Sequence, residues 1–100
     1  MYTVQLTKVA QKELEEAALY YETRQQNLGI EFMLDFEKTK LMLQRNPTAL
    51  GYWKKGFRAA RCFRFPHKLF FKIKGHVVLI YLVAHTRRSN NFILRSLRNQ

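Results

Sequence analysis

His85, Arg87 and Arg88 are the residues of this chain best suited to chemistry. They close an apolar run, Val77 to Ala84, in the order His-Thr-Arg-Arg. An imidazole exchanges protons near neutral pH. Fixed guanidinium groups beside it can polarise a phosphodiester or grip a carboxylate. The plainer role for His85 is a strand-end histidine that caps backbone groups or packs on a helix. Other cations fall on β-compatible segments: Arg58, Arg61 and Arg64, then Lys68, Lys72 and Lys74, with Arg95 and Arg98 in the tail. Phe70 and His67 lie among them, placed to stack on a base or to pack a partner helix.

Other chemistries lack their residues. There is no Gly-rich phosphate loop, no His-Glu-x-x-His and no nucleophile elbow. His67, His76 and His85 are nine residues apart and two of them sit at turns, which is not the spacing of metal ligands. No metal or cofactor is expected. The lone cysteine, Cys62, excludes an internal disulfide and reads as a small buried hydrophobe.

The charges are segregated along the chain. Residues 1–50 hold six Lys/Arg and seven Asp/Glu, a net of −1, whereas residues 51–100 hold twelve Lys/Arg and no acid, a net of +12. Any carboxylate needed in the basic half must come from the first half. Such asymmetry points to a polyanionic partner: nucleic acid, the ribosome or an acidic protein segment.

The elements that must position these groups follow from periodicity. Tyr2, Val4 and Leu6 alternate with polar residues and predict a short strand. Thr7 is a plausible N-cap. Lys8 to about Gln26, rich in Ala, Glu and Leu, predicts a helix with Leu14, Ala17, Ala18 and Tyr21 on one stripe and its glutamates mostly in water. Gly29 reads as the turn. A second helix is expected from about Ile30 to Arg45, burying Phe32, Met33, Phe36 and Leu43 and stopped by Asn46-Pro47. Phe57 to Phe65 predicts a strand. Leu69, Phe71 and Ile73 alternate with Lys68, Phe70, Lys72 and Lys74, which predicts one apolar and one basic face. Lys74-Gly75-His76 suits a hairpin turn. Val77 to Ala84 is apolar at both parities, the pattern of a central strand covered on both faces. Thr86 to Gln100 predicts a short docked helix or irregular strand anchored by Phe92, Ile93 and Leu97.

The class is therefore α+β: an N-terminal strand, a helical hairpin, then a three-stranded antiparallel meander forming one sheet, with a short C-terminal element. The hairpin is expected to cover one sheet face and leave the basic face for a partner. One hundred residues make a single domain, 1–100. Its 47% hydrophobic and 14% aromatic content supports a small core and excludes a disordered chain. No apolar run reaches the length of a spanning helix, and the start lacks the order of a signal peptide, so a cytoplasmic protein that does not engage membranes is expected.

Ala17-Ala18-Leu19-Tyr20-Tyr21-Glu22, Leu28-Gly29-Ile30-Glu31-Phe32, Asn46-Pro47, Phe65-Pro66-His67-Lys68-Leu69-Phe70-Phe71 and Val83-Ala84-His85-Thr86-Arg87-Arg88 occur in that order. In this ordered set the chain resembles the RelE/ParE toxin superfamily of bacterial type II toxin–antitoxin modules, some of which stabilise plasmids. The long hairpin and Phe-Pro-His stretch are more similar to its ParE branch. The resemblance implies a cognate antitoxin that wraps the toxin, and assembly into a toxin–antitoxin heterooligomer. ParE-type members poison DNA gyrase, whereas RelE-type members cleave mRNA on the ribosome. Carried over, Arg58 matches a basic position on the first hairpin strand, Lys68 a basic or tyrosine position, and His85 and Arg88 the His-x-x-Arg ending of the central strand. His85 and Arg88 would be catalytic only in an RNA-cleaving member. Arg58, Arg61, Arg64, Lys68, Phe70, Arg87 and Arg95 would contact target or antitoxin. The chain departs from the family at His67, often tyrosine, at Ser89, usually acidic, and at Phe92, in a tail that offers no tyrosine. The missing tyrosine favours a protein target, gyrase, over mRNA.

Overall fold

A computed structural model describes residues 1–100. The chain runs through strand β1 (Thr3–Leu6), helices α1 (Lys8–Arg24) and α2 (Leu28–Arg45), a 3-10 turn (Pro47–Ala49), strands β2 (Tyr52–Lys54), β3 (Phe57–Arg61), β4 (His67–Lys74) and β5 (Val77–His85), and helix α3 (Asn90–Arg98). The sheet order is β1-β5-β4-β3-β2. The expected meander is present as β3-β4-β5, all antiparallel, with β1 added parallel to β5. The short strand β2, absent from the sequence reading, completes a five-stranded mixed sheet.

Local chemistry sets the helix limits. Thr7 caps α1 by accepting from the Ala10 N–H, and Ser89 caps α3 by accepting from the Phe92 N–H. The turn between α1 and α2 falls at Asn27, whose φ is +70°, and not at Gly29. Gly29 lies inside the first turn of α2, where an added Cβ would stand 2.5 Å from the Ala18 carbonyl oxygen of α1. Its lack of a side chain lets the helices touch. Glu22 accepts from the Asn27 and Gly29 N–H groups and ties the turn to α1.

The main core lies between the hairpin and the sheet. Leu14, Phe32, Phe36 and Leu43 from the helices meet Leu69, Phe71, Val78 and Ile80 from the strands. A second, smaller core lies on the opposite face, where Ile93 and Leu97 of α3 cover Phe57, Phe70, Leu82 and Ala84. The tail is thus a helix, and the face expected to be left open is partly closed by it. β5 is central and covered on both sides, as its composition predicts.

The predicted strand Phe57 to Phe65 ends early, at Arg61. The reason is long-range. The buried Asp35 carboxylate of α2 accepts from the backbone N–H groups of Phe63, Arg64 and Phe65 at 3.1, 3.0 and 2.8 Å. Three donors drawn to one side chain cannot also serve a sheet ladder.

Candidate functional site

A bulge in β5 aims His85. Along β4 and β5 the pairing runs Phe71↔Ile80 and then Phe70↔Leu82, so Tyr81 has no partner. One extra residue reverses the faces of everything beyond it. Val78 and Ile80 face the hairpin, but past the bulge Leu82 and Ala84 turn toward α3, while Val83 and His85 face the hairpin side. His85 thereby pairs across the strands with His67, their ring centres 5.4 Å apart, and reaches the end of α1.

The two histidines have different chemistry. His67 is buried, its Nε2 lies 3.0 Å from the Tyr21 hydroxyl, and its Nδ1 has no hydrogen-bond partner. Burial first, and the nearby His85 second, push its pKa down to about 4, so the ring is neutral at physiological pH. Burial likewise raises the Tyr21 phenol, which stays protonated. His67 is therefore a packed core residue and not a surface stacking platform. In His85 the Nδ1 accepts from the Arg87 N–H at 3.0 Å. The neutral ring then carries its proton on Nε2 and presents a donor.

Two adjoining clefts share His85 and Arg88. One, of about 510 Å³, opens between Tyr20 and Tyr21 of α1 and Arg87. The other, of about 210 Å³, is lined by Glu13, Glu16, His67 and Phe92 among others. The Arg88 guanidinium lies 4.4 Å from the centre of the Phe92 ring. Glu13 accepts from the Val83 N–H at 3.0 Å, on the stretch of β5 that extends past the end of β1. Burial raises its pKa, opposed by that hydrogen bond. Glu13, Glu16, Tyr20 and Tyr21 did not figure among the site residues read from the sequence. Their signal was the spacing 13, 16, 20, which puts two carboxylates and an exposed tyrosine on one helix face.

The other predicted contact residues are divided by the fold. Arg58 lies on the hairpin face and donates to the Leu50 and Thr48 carbonyls at 2.5 and 3.4 Å, clasping the segment after α2. Arg64 is in the loop, paired with Glu31 and 5.0 Å from the Phe65 ring centre. Phe70 is 1% exposed, packed under Trp53 and α3, so it is not available to a partner. Arg61 and Lys68 pair across strands on the α3 face, Arg61 also donating to the Cys62 carbonyl. Arg87 is exposed at the cleft and Arg95 is exposed on α3. Lys72 lies 4.5 Å from the Phe57 ring centre and Lys74 6.0 Å from that of Tyr81. Beside them Lys55, Phe57, Leu94, Leu97 and Arg98 line a groove of about 410 Å³ with apolar walls and a cationic rim.

No protein-family model matches the chain, and no curated protein matches it by sequence. Solved structures do match. A chain of the chromosomal ParDE TA system from P. aeruginosa superposes with a TM-score of 0.75, over 85% of this chain and 96% of that one, at 19% identity. The chain shares the fold of that ParDE chain. The likeness spans nearly all of the ParDE chain. No helix is long and apolar enough to cross a membrane.

Proposed function

We propose that this chain is the toxin of a type II toxin–antitoxin module, of ParE type, and that it halts growth by binding DNA gyrase without catalysing a reaction. The observation that carries the reading is the ParDE fold over most of both chains. The cognate antitoxin would be acidic and would hold the toxin in a heterooligomer, its apolar side chains entering the groove beside α3 and its carboxylates meeting Lys55 and Arg98. The cleft also favours a protein target. Glu13 and Glu16 sit beside Arg88 and offset the positive charge that a phosphodiester would need.

One observation supports a second reading, ribosome-dependent mRNA cleavage. The cleft gathers a donor on His85, a cation on Arg88 and a carboxylate on Glu16, the groups of an acid, a transition-state clamp and a base.

Expression in growing cells separates the two. A gyrase poison leaves mRNA intact, produces DNA breaks, and in purified form inhibits gyrase supercoiling. His85→Ala should leave that toxicity in place. Cuts in ribosome-bound mRNA that disappear with His85→Ala would replace the first reading by the second. A small neighbouring reading frame encoding an acidic protein that binds this chain would support the module under either.

A further inference from the structure

We propose that the outer face of α2, together with Phe63, is a self-association surface on which two copies of this chain pair. Ile30, Leu34 and Leu41 fall on one stripe of α2, turned away from the core, and Leu34 is 65% exposed. Phe63 stands beside them, 56% exposed. Leu34, Leu41 and Phe63 border a shallow cleft of about 470 Å³ with Glu37 and Lys38 at its edges.

Phe63 is held in place for contact. The Asp35 carboxylate fixes its loop through three backbone hydrogen bonds, and the Lys38 ammonium lies 5.4 Å from its ring centre. An aromatic ring fixed in advance, among exposed aliphatic residues, is the composition of an interface centre and loses little freedom on binding.

Charge selects the occupant. A strongly acidic partner would meet Glu31 and Glu37, and a strongly basic one Lys38 and Arg64. A second copy brings the same balanced set. At 100° per residue, Glu37 and Lys38 lie on opposite sides of the stripe at nearly the same height. A two-fold axis running along paired α2 helices sets each Glu37 against the other copy's Lys38. The inference rests on this face alone and does not depend on the target of the toxin.

Sedimentation equilibrium of the purified full chain over a wide concentration range tests it. The expected result is a mass rising from one chain to two. Leu34→Asp, at an exposed position, should leave the circular dichroism spectrum unchanged and hold the mass at one chain. Glu37→Lys should weaken pairing, and Glu37→Lys combined with Lys38→Glu should restore it. A wild-type chain that stays monomeric throughout overturns the proposal. So does a dimer that survives Leu34→Asp, which would place the contact elsewhere. Titration of an acidic polypeptide completes the test: binding that Leu34→Asp abolishes, with no wild-type dimer, would assign the face to that partner instead.

Discussion

The two faces of the sheet are built from different materials. On the hairpin face, fourteen buried residues form the main core, and cations are matched to acceptors. Arg58 is spent on carbonyls and Arg64 on Glu31, while the Asp35 carboxylate holds a loop. On the α3 face, six buried residues lie under a nine-residue helix. There Lys68, Lys72, Lys74, Arg95 and Arg98 have no carboxylate partner, and the lysines over Phe57 and Tyr81 rest on ring faces instead. Both faces draw cations from the same basic half of the sequence. What differs is whether acceptors, the Glu31 carboxylate of α2 or the Leu50 and Thr48 carbonyls after it, are brought to them. The hairpin face is therefore the stabilising side, and the α3 face carries the unneutralised field that an acidic partner would meet.

Core truncations should separate the faces most strongly. Phe71, fully buried under the hairpin, should cost about 3–5 kcal/mol as Phe71→Ala. Leu97→Ala on α3 should cost about 2 kcal/mol, at the low end of buried leucines, because α3 is terminal and can relax. Deletion of residues 90–100 should then leave the hairpin core folded, expose Phe57, Phe70 and Leu82, and, under the proposed function, abolish toxicity. Urea unfolding and a growth assay give both readings. A Leu97→Ala cost matching that of Phe71→Ala would show that the faces form one cooperative core.

Asp35 is the next largest test. Asp35→Ala strips the acceptor from three backbone donors, and leaving buried donors unpaired costs about 1–3 kcal/mol each before water and relaxation recover part of it. A net loss of about 3 kcal/mol is expected, with residues 62–66 losing amide-exchange protection first. Unchanged protection there would mean that the loop holds itself.

How much of this was legible in the sequence depends on the range of the cause. The hairpin, its stop at Asn46-Pro47, the turn at Gly75 and the double burial of β5 come from local periodicity and punctuation, and all are present. Three features come from contacts between distant residues. Asp35 ends β3 from across the molecule. The bulge at Tyr81 sends His85 to the hairpin side, although strict alternation would send it to the α3 side. Arg58 looks like its neighbours Arg61 and Lys68 but has an internal task. β2 was hidden by its length of three residues. Of the candidate site, His85, Arg87 and Arg88 were readable as a cluster, while the acids that face them were not.

The pH dependence of stability probes the hairpin face alone. His67 is held neutral, its pKa pushed down from 6.5 to about 4. Between those values the unfolded chain binds a proton that the folded chain refuses, so stability falls as pH is lowered from about 6.5 towards 4. The loss is at most about 3 kcal/mol, from 1.36 kcal/mol per pKa unit. His67→Phe keeps the ring against Tyr21 and Phe32, removes the titration, and should flatten the profile in that window. Urea midpoints measured at several pH values for both proteins decide the matter. Parallel profiles would assign the acid sensitivity to other groups.

The smallest effects, and the most direct on function, concern the cations one by one. If the faces differ as described, Arg64→Ala and Arg58→Ala should leave binding of an acidic polypeptide unchanged, because Glu31 and the backbone carbonyls already occupy those groups. Lys68→Ala and Arg98→Ala should each weaken it by about 1 kcal/mol or less, the range of exposed ion pairs. Those losses should shrink as salt rises, since screening acts over about 10 Å at 0.1 M. Arg58→Ala should instead lower stability, because it removes the donor to the Leu50 and Thr48 carbonyls. Titration calorimetry with polyglutamate at two salt concentrations, paired with urea unfolding, reads both quantities for each variant. Four equal losses of binding would mean that the partner senses only the net charge of the domain, and that the division between the faces has no part in recognition.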